Sequence, residues 1–379
     1  MAVQLELEEV GMKITDVTAQ SLPVSRRGGW LFVEVHTDEG LTGLGEASQG
    51  GDDEQVIQHL QRHVAPRLVG TDPRDAGALA GKLRGLGASR SGATALSGVE
   101  QALWDIAGQA YGQPIWRLLG GKVRPRVWVY ANINRSTWDR SPQGFAENAR
   151  RAVGAGFQAV KLAAFDDMPR LDTPEAFATA ELGIERVLAV REAVGPQVQV
   201  LLDVHCHFNA AWAIRVARRL EPARLFWFED PVPRSDWEGL ARVHETIEQP
   251  VAAGETFFGL EPFWELFTRR AADIAMPDVK HCGGLGALMR IGALAEPGHV
   301  QIAPHNPSGP VATAATVHAC AALPNFTVLE YAFGEVDWRA GLTEPAEAIV
   351  DGFYEVPDAP GLGRRLNQDA LAQHTAAGH

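Results

Sequence analysis

The chain has 379 residues, of which 46% are hydrophobic and 21% charged, a composition typical of a globular protein with a sizeable core. Its formal net charge of -13 argues against nucleic acid or an anionic membrane as a partner, because neither attracts an acidic surface. No apolar run approaches the length of a transmembrane helix, the N-terminus does not resemble a signal peptide, and the three cysteines form no CxxC motif, so a cytoplasmic location is expected.

Residues 1–125 are predicted to form a separate α+β unit. Its expected elements are two paired strands followed by two amphipathic helices, at residues 12–22, 30–37, 53–69 and 97–112. The turn SRRGGW joins the two strands, and a Gly-rich turn with a third strand follows them. The second helix is expected to open with the capping pattern Ser97-x-x-Glu100.

From residue 126 to about 340, short apolar runs end repeatedly in an acidic residue or a histidine. These six residues follow one another at intervals of 26, 26, 23, 27 and 25 positions: Asp203, Glu229, Glu255, Asp278, His305 and Glu330. Helical stretches lie between the runs, and two earlier runs at 127–131 and 158–163 raise the number of predicted strands to eight. The pattern predicts an α/β fold, an eight-unit βα barrel whose strand ends converge on one site.

The last part of the chain, residues 341–379, is richer in Gly and Pro and has no clear helical period. We expect it to pack back on the N-terminal unit. The final residues QHTAAGH are expected to be frayed.

Three carboxylates, Asp203, Glu229 and Glu255, end three successive predicted strands. Like charges held this close repel one another unless protons or a cation intervene. A set of oxygen ligands with room for water and substrate suits Mg²⁺ or Mn²⁺ better than Zn²⁺. The alternative is that one or two of these acids form structural ion pairs with arginines.

Histidines flank this predicted metal site. Asp278 and His305 end the next two strands, and a carboxylate on one imidazole nitrogen makes the other a better general base; a buried histidine satisfied by a nearby acid is the alternative. His205 lies two residues beyond Asp203 and faces the same side if the strand geometry persists. Two acid-base groups around a metal are what a β-elimination needs. Because His207 continues the period, a zinc cluster of Asp203, His205 and His207 is the competing interpretation.

These motifs together resemble the enolase superfamily, and within it the mandelate racemase subgroup. The resemblance rests on WFEDPV, AAGET, PDVKHCGG, APHNPSGP and LEY around the barrel residues, and on SGVEQALWDIAG and GQPIWRLLGGKVR before them. It covers essentially the whole chain. It implies a modified TIM barrel, (β/α)7β, with an N-terminal α+β capping domain, Mg²⁺ as cofactor, and abstraction of the proton α to a carboxylate.

One departure from the subgroup indicates the branch. Where mandelate racemase and its near relatives carry Lys-x-Lys, this chain has Lys161-Leu162-Ala163, so the second base is absent. Asp203-Val204-His205 is instead similar to the Asp-x-His motif of the galactonate dehydratase branch, which implies that His205 is the acid for a leaving hydroxyl.

The resemblance therefore implies a hydro-lyase that converts a sugar acid into a 2-keto-3-deoxy sugar acid. Lys161 and Glu330 are expected to stabilise the reaction intermediate, with Glu330 either protonated or sharing a hydrogen bond. A purely structural salt bridge is the alternative for Lys161. The alternatives are an epimerase or lactone cycloisomerase of the same fold, and a barrel without catalytic activity.

Substrate specificity is expected to come from the N-terminal unit folding over the barrel mouth. The candidate contacts are hydroxyl-binding amides, turn residues and a histidine beyond the metal motif: Asn132, Asn134, Arg26, Arg27, Trp30, His207 and the loop 44–52. The expected partner is a small carboxylate, and a homo-oligomer is expected.

Overall fold

The N-terminal unit is a three-stranded antiparallel sheet with helices packed against it. The computed structural model describes residues 11–25 and 28–377. The strands are β1 (Ile14–Ser25), β2 (Gly28–Thr37) and β3 (Thr42–Glu46), in the order β1-β2-β3. The predicted strand pair is present, and both strands extend further into the turn than the sequence indicated. Arg26 and Arg27, two of the predicted substrate contacts, lie outside the described residues.

Helical segments follow the three strands of this unit. They are α1 (Asp53–His59), a π-helical turn (Leu60–Val64), α2 (Ala65–Leu68), α3 (Ala76–Leu83), a 3-10 turn (Arg84–Leu86), α4 (Arg90–Ala110) and α5 (Ile115–Leu118). The predicted helix 53–69 is thus interrupted by one wide turn. Its apolar residues at intervals of four, Val56, Leu60, Val64 and Leu68, are nevertheless all buried, which explains the periodicity.

The long helix α4 begins earlier than predicted, and the predicted capping pattern is wrong. The Ser89 hydroxyl caps this helix by accepting a hydrogen bond from the Gly92 amide (3.0 Å). Ser97 lies inside the helix and donates to the Ala93 carbonyl. The Glu100 carboxylate accepts from two amides of a barrel helix instead of capping its own.

The second unit is a closed barrel of eight parallel strands with seven intervening helices. The strands are β4 (Arg126–Asn132), β5 (Ala159–Ala163), β6 (Gln199–Asp203), β7 (Trp227–Glu229), β8 (Val251–Ala253), β9 (Ile274–Ala275), β10 (Gln301–Ile302) and β11 (Leu329–Ala332). The helices are α6 (Pro142–Gly154), α7 (Pro174–Val194), α8 (Ala210–Arg219), α9 (Trp237–Thr246), α10 (Glu261–Thr268), α11 (Leu285–Ala295) and α12 (Pro310–Ala322). β11 pairs with β4, and a parallel bridge between Ile302 and Phe326 completes the closure. The predicted α/β class and (β/α)7β barrel are confirmed.

A layer of apolar side chains fills the barrel beneath the site. It includes Tyr130 on β4, Leu201 on β6 and Trp227 on β7. Because side chains on a strand alternate between its two faces, the residue two positions later points into the barrel again. In β6 and β7 these residues are Asp203 and Glu229, which lie opposite each other in the ladder.

Not every predicted strand end is the last residue of a strand. Asp203 and Glu229 are, but Glu255, Asp278 and His305 lie in the loops just beyond β8, β9 and β10. Two of these three loops contain a proline immediately before the polar residue, Pro277 and Pro304. Proline has no amide hydrogen to donate, so the strand ladder stops before it. Glu330 is the second residue of β11.

The C-terminal segment contacts both units. Its elements are a 3-10 turn (Arg339–Leu342), β12 (Thr343–Glu344), β13 (Ile349–Val350), β14 (Phe353–Glu355), β15 (Arg365–Leu366) and α13 (Gln368–Ala377). β14 pairs antiparallel with β4 of the barrel, and the Leu362 amide donates to Asp105 in α4 (2.8 Å). This hydrogen bond joins the segment to the N-terminal unit. Of the final residues QHTAAGH, which were expected to be frayed, Gly378 and His379 lie outside the described residues, and α13 continues to Ala377. α13 buries Leu371 and stacks His374 on Trp338, with ring centroids 4.1 Å apart.

Two further sequence expectations can be compared with the structure. Among the described residues no helix is long and apolar enough to cross a membrane. The three cysteines are free thiols, in agreement with the absence of a disulfide framework.

Candidate active site

Three carboxylates meet at the mouth of the barrel, above the apolar layer. Asp203, Glu229 and Glu255 each offer one oxygen, and these oxygens lie within 4.8 Å of one another. Glu255 Oε2 is buried without a hydrogen-bond partner, although it lies 3.1 Å from a histidine nitrogen. Burial and the neighbouring Asp203 charge raise the pKa of Glu229 well above its usual range. This oxygen-only set fits a hard divalent cation, which would remove the repulsion and occupy the unpartnered oxygen.

Lys161 is a buried cation beside the carboxylates. Its Nζ lies 2.9 Å from Glu229, 3.4 Å from Glu330 and 3.8 Å from Asp203. Burial alone would lower the lysine pKa, but the Glu229 and Glu330 charges outweigh it and raise this pKa. The ammonium is therefore a fixed positive charge inside the barrel mouth.

The surroundings of Glu330 favour its ionised form over the protonated form, which was one of the two expectations for it. Its burial raises the pKa, but the Lys161 and His305 charges outweigh burial, and the net pKa is lowered. The carboxylate accepts hydrogen bonds from the Asn132 side chain (2.5 Å) and the Asn306 amide (2.9 Å). Glu330 therefore shares hydrogen bonds with two asparagines, which was the second expectation for this residue.

His305 and Asp278 form the predicted pair. His305 Nδ1 lies 2.7 Å from Asp278 Oδ2, which leaves Nε2 directed at Glu255 (3.1 Å). Asp278 is fully buried, and although burial opposes it, the Lys280 ammonium at 2.6 Å holds the pKa of Asp278 well below its usual range. An ionised carboxylate on Nδ1 keeps the proton there and makes Nε2 the basic nitrogen.

His205 reaches the site by a different route from the one predicted. Strand β6 ends at Asp203, and His205 and Cys206 adopt left-handed backbone conformations, with φ of 48° and 60°. The tight turn brings His205 Nε2 to 2.9 Å from Asp203 Oδ2. Burial lowers the pKa of His205, but the Asp203 carboxylate outweighs it and raises this pKa to about 12. A cation on Asp203 would oppose this shift.

A pocket of about 340 Å³ extends from these residues to the N-terminal unit. Its walls come from both units: Gly28, Gly29, Gln49, Gly51, Asp53 and Arg90 on one side, and Asn132, Asn134, Arg135, Lys161, Asp203, His205, His305 and Pro307 on the other. A volume of this size is typical of small-molecule sites. A second cavity of about 300 Å³ lies between α3, α4 and the barrel loops, but its lining includes none of the three clustered carboxylates.

The structure separates the predicted substrate contacts into two groups. Asn132, Asn134 and two residues of the 44–52 loop line the pocket. Trp30 does not, because it is 1% exposed and packs beneath the wall against Trp338, with ring centroids 5.5 Å apart. His207 is also absent from the lining, because the left-handed turn breaks the alternation on which its prediction depended. The potential metal ligands that cluster among the described residues are all carboxylates, which argues against the zinc alternative.

The sequence prediction missed several residues of the site. Arg90, Arg135 and Asp53 line the pocket, and Asp166 contacts His205 Nδ1 at 2.5 Å. Asp166 lies in the loop after β5, at the same end of the barrel as the other site residues. Its position at this end of the barrel could have indicated a site residue. The direction of a loop side chain, however, cannot be predicted from a periodic sequence pattern.

A barrel that brings a carboxylate cluster, a buried lysine and two carboxylate-paired histidines together at its strand ends is equipped for metal-assisted acid-base chemistry. Two family models match the chain: the mandelate racemase / muconate lactonizing enzyme N-terminal domain over residues 10–120, and the enolase C-terminal domain-like family over residues 144–370. The chain belongs to the mandelate racemase/muconate lactonizing enzyme family of the enolase superfamily, as its motifs indicated.

The chain is similar along nearly its whole length to several named proteins. A D-xylonate dehydratase from Haloferax volcanii is 35% identical, over 97% of this chain and 90% of that protein. A D-galactonate dehydratase family member from Streptomyces bingchenggensis is 34% identical, over 95% and 93%. Among solved structures, a mandelate racemase/muconate lactonizing enzyme-like protein from Rubrobacter xylanophilus has a TM-score of 0.88 and 35% identity, with 96% of this chain and 97% of that chain covered.

Proposed function

We propose that this protein is a Mg²⁺-dependent sugar-acid dehydratase, a hydro-lyase that converts an aldonic acid into a 2-keto-3-deoxy acid. The observation that carries the proposal is the pair of histidines around the carboxylate cluster. His305 Nε2 lies 3.1 Å from Glu255, and His205 Nε2 lies 2.9 Å from Asp203. The names of the relatives, which include D-xylonate and D-galactonate dehydratases, support the same reaction class.

The residues divide into those that hold charge and those that move protons. Asp203, Glu229 and Glu255 would hold Mg²⁺, with Mn²⁺ as a possible substitute. When bound, the cation supplies electrophilic stabilisation of the negative charge that develops on the substrate carboxylate. Lys161 adds a fixed positive charge beside it, and Glu330 with Asn132 orients that ammonium.

The proposed reaction uses one histidine for each proton. His305 Nε2 takes the proton from C2, while Asp278 keeps the Nδ1 proton in place. The C2–H electron pair is first taken up by the substrate carboxylate group, beside Lys161. It then forms the C2–C3 double bond as the C3–O bond breaks, and His205 Nε2 gives its proton to the departing hydroxyl, which leaves as water. The resulting enol tautomerises to the 2-keto acid. Ala163 carries no base, which disfavours a two-base racemisation.

A substrate screen in deuterated buffer tests this function. Aldonic and aldaric acids are incubated with the protein and Mg²⁺, and both 2-keto acid release and deuterium incorporation at C2 of the remaining sugar acid are measured. We expect an aldonic acid to release keto acid, chelation of the metal to stop the release, and His305→Asn to lower it by about 10²- to 10⁴-fold.

The controls separate dehydration from the alternative reactions of the same fold. The exposed surface histidine His63 provides a matched variant, His63→Asn, which is expected to keep full activity. Deuterium incorporation without any keto acid would indicate an epimerase or cycloisomerase and contradict the elimination. Keto acid release that survives His305→Asn would contradict the assignment of the base.

A further inference from the structure

Asp166 makes a short contact with the histidine that the proposed elimination uses as its acid. Asp166 Oδ1 lies 2.5 Å from His205 Nδ1, and His205 Nε2 lies 2.9 Å from Asp203 on the opposite edge of the ring. The arrangement repeats that of Asp278 and His305, in which a carboxylate also holds Nδ1 and Nε2 faces the cluster. The site therefore contains two separate carboxylate–imidazole pairs.

Asp166 is itself held by neighbouring side chains. Its second oxygen, Oδ2, accepts hydrogen bonds from Arg140 (3.0 Å) and from the Asn134 side chain (3.3 Å). Arg140 also donates to the Ala163 carbonyl at the end of β5 and to Asn134 Oδ1. These contacts tie the carboxylate to the barrel, so Oδ1 has a defined position from which to accept the His205 hydrogen bond.

The contact with Asp166 orients a histidine that has an unusual backbone conformation. His205 has a φ of 48°, a left-handed conformation that is unfavourable for a non-glycine residue and persists only where neighbours enforce it. A carboxylate on Nδ1 orients the ring and retains the Nδ1 proton, so the proton that is transferred is the one on Nε2. Without Asp166, either nitrogen of the protonated ring could release its proton, and the transfer would no longer be confined to Nε2.

We propose that Asp166 is a positioning residue that orients His205 for the elimination step. It takes no part in the proton abstraction, which His305 and Asp278 perform. This inference rests on the proposed dehydratase function. It requires that loss of Asp166 impair departure of the 3-hydroxyl while the C2 proton is still removed and exchanged. A merely structural role for Asp166 would lower both steps together.

The kinetic test compares exchange with elimination in the same sample. Asp166→Ala, Asp166→Asn and His205→Asn are incubated with substrate and Mg²⁺ in deuterated buffer. For Asp166→Ala we expect keto acid release to fall by about 10²-fold while deuterium incorporation at C2 stays within a few-fold of the wild type, as in His205→Asn. Asp166→Asn should lie between wild type and alanine, because an amide oxygen can still accept the Nδ1 hydrogen bond.

The adjacent residue provides the matched control. The Asp167 carboxylate pairs with Arg186 (2.7 Å) and does not line the pocket, so Asp167→Asn should keep the wild-type ratio of exchange to elimination. An equal fall of exchange and elimination in both Asp166 variants would overturn the proposal. So would a wild-type ratio in Asp166→Ala.

A second readout needs no substrate. In Mg²⁺-loaded protein with ¹⁵N-labelled histidine, the His205 signals are identified by their loss in His205→Asn, and we expect a proton on Nδ1 in the wild type. In Asp166→Ala the Nδ1–H signal should move, because this proton loses its carboxylate acceptor; an unchanged signal would overturn the proposal. If no sugar acid reacts with the wild type, the proposed function fails, and this spectrum still decides the role of Asp166.

Discussion

The Lys161 ammonium compensates much of the negative charge in the barrel mouth. It is 1% exposed and lies within 3.8 Å of three carboxylates, Asp203, Glu229 and Glu330. Buried carboxylates are tolerated only when a partner offsets the cost of their desolvation. The lysine thus stabilises the fold before any cation binds, and it also supplies positive charge to the reaction.

Lys161→Met is therefore expected to destabilise the metal-free protein. Breaking a buried ion pair costs about 3–5 kcal/mol, because the remaining charges have no partner. Added Mg²⁺ should raise the thermal midpoint of the variant more than that of the wild type, since the carboxylates then depend on the bound cation. The measurement is thermal unfolding with and without MgCl₂, with Lys82→Met on the exposed face of α3 as control. A variant as stable as the wild type without metal would contradict this prediction.

Residues whose direction follows from strand geometry could be predicted, and residues directed by loops could not. Asp203 and Glu229 point into the barrel because they lie two positions after the buried Leu201 and Trp227. Trp30 was predicted at the pocket because its turn is near it, but its side chain is buried against Trp338 and does not reach the pocket. His207 and Asp166 depend on turns whose backbone angles no periodic pattern encodes.

At the scale of elements, a helix of one unit caps a helix of the other. Glu100 in α4 accepts hydrogen bonds from the Leu285 amide (2.6 Å) and the Gly286 amide (2.9 Å) at the first turn of α11, and from the Trp104 side chain (2.8 Å). Gly284 leaves room for this carboxylate, because an added Cβ would lie 2.0 Å from Glu100 Oε2. Despite these donors, burial raises the pKa of Glu100 to about 7.

This cap makes the stability of the protein depend on pH. A carboxyl group whose folded pKa is raised contributes stability that is fully present below about pH 4.5 and is lost as the pH rises through about 7. Glu100→Gln removes the titration. The difference in unfolding free energy between the variant and the wild type should therefore change in favour of the variant by on the order of 3 kcal/mol between pH 5 and pH 8. Thermal unfolding across this range tests it, with the exposed Glu39→Gln as control. A constant difference between Glu100→Gln and wild type at both pH values would refute it.

The number and order of elements could be predicted better than their ends. Parallel strands buried on both faces are continuous apolar runs, and that signal identified all eight. The start of α4 was missed because Ser89-Arg90-Ser91-Gly92 consists of residues also common in loops. Helix α13 was missed because its stability comes from burial of Leu371 and stacking on Trp338, which are tertiary contacts.

At the scale of the whole molecule, buried acids of the N-terminal unit bind backbone amides of the other parts of the chain. Glu46 accepts hydrogen bonds from the Gly309 amide (2.8 Å) and the Ala312 amide (2.9 Å) at the start of α12. Asp105 accepts from the Leu44 and Leu362 amides, which joins the N-terminal sheet to the C-terminal segment. Because these amides have their acceptors in another part of the chain, the parts are expected to unfold together.

Glu46→Ala tests this coupling. The substitution leaves two buried amides without acceptors, at about 1–3 kcal/mol each, and loosens the loop that carries His305 and Pro307. Calorimetry should give one transition for the wild type and one, at lower temperature, for the variant, with kcat/KM reduced about tenfold or more by displacement of the base. Glu39→Ala, on an exposed turn, should change neither quantity. Two separate transitions in the wild type would show that barrel and N-terminal unit unfold independently, and the interdomain hydrogen bonds would then not couple them.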